Sequence, residues 1–126
     1  GLTIQKINSL GGFKIQGKDK KQAEELINQA LALQEAGSFA IVLECIPKNV
    51  AKKITQHLSV PTIGIGAGPF VSGQVLVFHD LLGLQKEFKP KFVKYYAEGR
   101  DYLSNAVENY IQDVKENIFP TDEHCY

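Results

Sequence analysis

The sequence predicts an α/β fold with parallel strands, read as an arc of a larger (βα)₈ barrel. Helical stripes of period 3.6 alternate with short apolar runs. The links between them are short, as in parallel β–α units. Only three strand runs fit into 126 residues, whereas a closed barrel of this kind takes eight strands and roughly 250 residues. The chain contains no Met and begins at Gly1. A translation product starts with Met, so a chain trimmed or cut from something longer is expected, and the arc is preferred to a small open sheet.

The first twenty residues are rich in Gly, Lys and Gln and read as a loop with turns, through Gly11-Gly12 and Gly17-Lys18-Asp19-Lys20-Lys21. A helix is expected from about Lys21 to Ala36, because Ala23, Leu26, Ile27, Ala30 and Leu31 share one face. Gly37 is placed to end it. Phe39-Ala40-Ile41-Val42-Leu43 is too short for a helix and apolar on both faces, which predicts a buried parallel strand.

Pro47 opens a second helix, tolerated there because the first turn has spare N–H groups. Val50, Ala51, Ile54 and Leu58 are its stripe, and Pro61 ends it. Thr62-Ile63-Gly64-Ile65 is a second strand, running into Gly66-Ala67-Gly68. A third is expected over Gln74-Val75-Leu76-Val77-Phe78, followed by His79-Asp80. Beyond Pro90, a short helix is expected over Phe92 to Tyr96. A longer one carries Leu103, Ala106, Val107, Tyr110, Ile111 and Val114 on one face.

Fourteen basic and fourteen acidic side chains cancel, so the basic excess of a nucleic-acid binder is missing. No apolar run approaches a membrane span of ~18 residues, and no charged-then-apolar leader is present. Cys45 and Cys125 lie far apart without metal-type spacing and read as free thiols of a reducing cytoplasm.

The sharpest chemical feature is Leu43-Glu44-Cys45-Ile46-Pro47. It places a carboxylate at the C-terminal end of a buried strand, where parallel α/β folds carry their active sites. Glu44 is therefore a candidate general base; pairing with a lysine, or capping of the next helix, is the alternative. Cys45 reads as a packed side chain rather than a nucleophile. Gly64 to Gly68 reads as a turn lining a site and only weakly as a phosphate cradle, since G-x-G-x-G is not the dinucleotide fingerprint. His79 beside Asp80 reads as hydrogen-bonded scaffolding. Lys86, Lys89, Lys91 and Lys94 interleave with Phe88, Phe92, Tyr95 and Tyr96. At zero net charge this reads as an amphipathic packing face rather than a grip on single-stranded nucleic acid.

Taken in order, several of these segments resemble the ketopantoate hydroxymethyltransferase family. They are Gly1-Leu2-Thr3, Gly11-Gly12-Phe13-Lys14-Ile15-Gln16-Gly17, Leu43 to Pro47, Pro61 to Gly68, Gly73 to Gly83 and Phe119 to His124. The family usually carries Pro where Ile4 stands and Asp where Ser72 stands. The resemblance implies a (βα)₈ barrel about twice this length. Residues 1–126 would be the C-terminal half of that single domain, incomplete without its own N-terminal half. It implies hydroxymethyl transfer from 5,10-methylenetetrahydrofolate to 3-methyl-2-oxobutanoate, with Mg²⁺ as cofactor and Glu44 as the base. The metal-binding aspartates and the substrate-binding serine and lysine would lie in the other half, so the chain alone is expected to be inactive. A cytoplasmic decamer is implied for the intact enzyme. Two other readings stand beside this one: a fragment of another, phosphate-binding barrel enzyme, and a non-catalytic half-barrel that serves assembly or ligand binding.

Overall fold

The computed structural model describes Gly17, residues 19–85 and residues 89–126. Ile4, the Gly11-Gly12 loop, Lys86 and Phe88 lie outside these. The chain divides into two compact units, Gly1–Leu76 and Val77–Tyr126.

In the first unit, helix α1 spans Lys20–Glu35. Asp19 caps it by accepting the Gln22 N–H at 2.8 Å, which satisfies one of the donors a helix start leaves unpaired. The Gln22 side chain reaches back to accept the Gly17 N–H at 3.2 Å. At the other end Gly37 takes φ +93°. Its N–H donates to the Gln34 carbonyl and that of Ser38 to the Leu33 carbonyl, the two bonds of a Schellman stop. Nothing lies within 4 Å of where a Cβ on Gly37 would sit, so the backbone angle alone explains the glycine.

Strand β1 (Ile41–Glu44) follows, then helix α2 (Lys48–His57), strand β2 (Thr62–Ile65) and strand β3 (Gly73–Gln74). All pair in parallel, in the order β1-β2-β3. Pro47 sits one residue before α2 rather than within its first turn; its carbonyl accepts the Val50 and Ala51 N–H groups. Phe39 does not join β1 and is 89% exposed.

β3 is shorter than the apolar run predicts. Its neighbour β2 leaves the ladder at Gly66, which has φ +65°. Only one further bond, from Val75 N–H to the Gly64 carbonyl, extends the pairing. Without a partner strand, the residues from Phe78 to Leu81 coil into a single helical turn, α3. His79 and Asp80 therefore lie in a helix and not past a strand end.

The strands have two unlike faces. Ile41, Leu43, Thr62 and Gly64 are buried on one, while Val42, Glu44, Ile63 and Ile65 are only partly buried or exposed on the other. On the covered face, Ile41, Leu43 and Ile46 pack with Ala30 of α1, with Val50, Ala51 and Ile54 of α2, and with Ala67. Burying an aliphatic side chain of this size stabilises by about 1.5–3 kcal/mol.

One buried polar group sits in this layer. The Thr62 hydroxyl lies 2.8 Å from that of Thr55 and accepts the Ser72 N–H at 3.3 Å. The Ser72 hydroxyl accepts the Thr62 N–H at 3.1 Å. Ser72 thus supplies an acceptor oxygen. Thr62→Val keeps the shape but removes that partner from Ser72 and Thr55. It should destabilise a folded protein containing this chain by about 1–3 kcal/mol, read as a lower urea midpoint with unchanged slope; an unchanged midpoint would show the network to be idle.

In the second unit, no helix forms over Phe92 to Tyr96. Pro90 to Val93 is a turn closed by the Val93 N–H on the Pro90 carbonyl, and the Tyr96 N–H donates to the Leu81 carbonyl. Lys89 lies 4.1 Å from the Tyr95 ring centre and Lys94 5.0 Å from that of Tyr96. These pairs are six and two residues apart, spacings a helix would not bring together. Helix α4 (Gly99–Lys115) carries the expected stripe, but none of its residues is buried. A 3₁₀ turn at Asp122–His124 follows, its Thr121 hydroxyl 2.8 Å from His124 Nδ1.

Candidate active site

Glu44 ends β1, paired in register with Ile65 of β2. It shares the open face of the sheet with Val42, Ile63 and Ile65, and by alternation with Val75. Among the described strand residues it is the only ionisable one. A half-buried carboxylate thus stands at the C-terminal rim of an otherwise apolar surface. The other face of the sheet packs against α1 and α2.

The chain turns sharply just beyond it. Cys45 has φ +52°, and its N–H donates to the Ile65 carbonyl at 2.9 Å. Burial, and secondarily the neighbouring Glu44, push the Cys45 thiol pKa up. That disfavours the thiolate a nucleophile needs, as the sequence reading of a packed Cys expected. Each histidine has a neighbour of its own: His57 Nδ1 lies 2.7 Å from the Lys53 carbonyl, the His79 ring meets Phe78 edge-on, and the Thr121 hydroxyl lies 2.8 Å from His124 Nδ1.

The glycine turn after β2 is pinned from two sides. Gln74 donates to the Gly68 carbonyl at 2.8 Å. A Cβ on Gly68 would lie 2.5 Å from Cβ and 3.2 Å from Cα of Lys48, the first residue of α2. Gly68 also has φ +79°. The turn is thereby packed against the start of the helix that follows Glu44. Sequence reasoning missed both Gln74 and the Lys48 contact; neither is visible without the fold. Gly68→Ala combines an unfavourable φ with a collision against the Lys48 Cβ, whereas Gly37→Ala meets open space. The first should cost about 2–4 kcal/mol and the second about 1–2. Equal urea midpoints for the two variants would show that the Lys48 contact yields freely.

Residues 1–122 match the family described as ketopantoate hydroxymethyltransferase. The chain belongs to this family. It is 54% identical over all its 126 residues to 3-methyl-2-oxobutanoate hydroxymethyltransferase of Francisella tularensis subsp. tularensis (strain FSC 198), covering 48% of that protein. It is 55% identical to the enzyme of the same name from Legionella pneumophila (strain Lens), again covering 48%. The chain spans about half the length of the curated relatives it matches. Its three parallel strands with their helices are part of the ketopantoate hydroxymethyltransferase barrel. No helix among the described residues is long and apolar enough to cross a membrane.

Proposed function

We propose that this chain supplies the general base of a ketopantoate hydroxymethyltransferase, and that Glu44 is that base. The observation that carries the reading is the placement of Glu44: one carboxylate at the C-terminal end of a parallel strand, on the open apolar face. The substrate follows from the relatives' name, 3-methyl-2-oxobutanoate. Its C3 proton lies next to a ketone and is weakly acidic. Glu44 takes that proton, and the electron pair becomes the enolate. The enolate carbon then bonds to the methylene carbon of 5,10-methylenetetrahydrofolate, whose bonds to the two folate nitrogens break; water supplies the new hydroxyl, and the two nitrogens take one proton from water and the one removed from C3. With one water the products are 2-dehydropantoate and tetrahydrofolate. The side chains that share its face, Val42, Ile63 and Ile65, are apolar and offer no competing proton acceptor.

The resemblance also brings in Mg²⁺, which would stabilise the enolate oxygen. Among the described residues no group of three or more His, Cys, Asp or Glu is placed to hold a metal. This chain's described side chains do not furnish a ligand set for it. Assembly into a homo-oligomer with the N-terminal half of the barrel, in the cytoplasm, belongs to the same proposal.

The test is proton exchange. A family-length protein containing this chain, incubated with 3-methyl-2-oxobutanoate in deuterated water, should wash out the C3–H signal in NMR spectra. A folded, substrate-binding protein that leaves the C3–H intact would defeat the reading.

A further inference from the structure

Alternation along β1 should put residue 46 on the open face with Val42 and Glu44. Instead Ile46 is 7% exposed and packs in the covered core with Ile41 and Leu43. The break in phase lies at Cys45, one of only two non-glycine residues with positive φ among the described residues. Strained backbone of this kind persists only where its surroundings hold it. Here the Cys45 N–H is tied to the Ile65 carbonyl on one side, and Ile46 is seated in the core on the other.

We propose that the left-handed turn at Cys45 is a positioning device for Glu44: it turns Ile46 away from the open face, so that the carboxylate is the last side chain of its strand on that face and the space beyond it is left to substrate. This rests on the reading of Glu44 as the base. What residue 45 contributes is its backbone angle; the thiol takes no part in the chemistry. Tolerance of positive φ, and not resemblance to Cys, should then decide which residues work there. Gly and Asn adopt this conformation readily, whereas β-branched residues are genuine outliers in it.

C3–H exchange and steady-state kinetics on the family-length protein test this, with Cys45→Gly, Cys45→Asn, Cys45→Val and Glu44→Gln compared. The Gly and Asn variants should exchange within about threefold of the parent. The Val variant should lose roughly tenfold or more in kcat with little change in the KM for 3-methyl-2-oxobutanoate. A folded Val variant with the parent's rate overturns the proposal. If the Val variant does not fold, the other two decide: Gly and Asn variants that melt like the parent but lose roughly a hundredfold show that the side chain matters and overturn it as well. Glu44→Gln separates the two layers. Parental exchange by that variant sinks the base reading and the positioning proposal with it. An inert Glu44→Gln beside a fully active Val variant sinks the positioning proposal alone.

Discussion

Glu44→Gln is expected to lower turnover of a family-length enzyme carrying this chain by ~10²–10⁴-fold, the usual range for loss of a general base. Gln matches Glu in volume, so the shape of the side chain is preserved and only the proton acceptor is removed. Exchange of the substrate's C3 proton with deuterated solvent should fall in parallel, because that step needs the base and no folate. Glu44→Asp offers the finer test. It keeps a carboxylate but withdraws it by one methylene, and a misplacement of that size can cost about a hundredfold. The expected order of exchange rates is Glu, then Asp, then Gln. A Gln variant that exchanges C3–H at the parental rate shows that another group takes the proton. A Gln variant slow in turnover but fast in exchange would instead place the defect in the one-carbon transfer.

The elements that sequence patterning located well are those whose order is local. α1 shows its face through Ala23, Leu26, Ile27 and Ala30, and its end through Gly37, where the positive φ admits glycine and little else. β2 matches its apolar run residue for residue. Where the reading failed, long-range pairing had decided the outcome. The apolar run from Gln74 to Phe78 has strand-like composition, but β2 turns away at Gly66, and past the bond from Val75 N–H to the Gly64 carbonyl the run leaves the ladder. The Phe92–Tyr96 segment has helical spacing of aromatics, yet the Leu81 carbonyl takes the Tyr96 N–H and lysines cover the tyrosine rings. The site divides in the same way. Glu44 was legible because a charge after an apolar strand run is conspicuous. The turn at Cys45 was not, since nothing in Glu-Cys-Ile-Pro distinguishes a left-handed Cys from an extended one. Only the burial of Ile46, on the face opposite to that expected from alternation, reveals it.

The 126-residue chain by itself is expected to show no hydroxymethyl transfer and to sediment as an oligomer. The argument starts from its surface. Val42 and Val75 on the open face of the sheet are 50% and 44% exposed, and Phe39 beside it 89%. Among the described residues β1 and β3 are the outer strands of the order β1-β2-β3, and edges left unpaired recruit partners. Helix α4 separately leaves Leu103, Val107, Tyr110 and Ile111 between 44% and 57% exposed, an apolar stripe larger than scattered surface residues explain. Burial stabilises by ~25 cal/mol per Å², so several hundred Å² left uncovered forgoes on the order of 10 kcal/mol. That rivals the whole stability of an ordinary domain, about 5–15 kcal/mol. The proposed remaining half of the barrel, or further copies of this chain, would supply that cover. Sedimentation velocity at micromolar concentration separates the possibilities, and adding the N-terminal half of a family enzyme should convert self-associated material into a defined complex that exchanges C3–H. Turnover by the purified chain alone would show that it holds a complete active site. A monomer that melts cooperatively would show that three strands and four helices suffice as an autonomous α/β domain, and the half-barrel reading would fall.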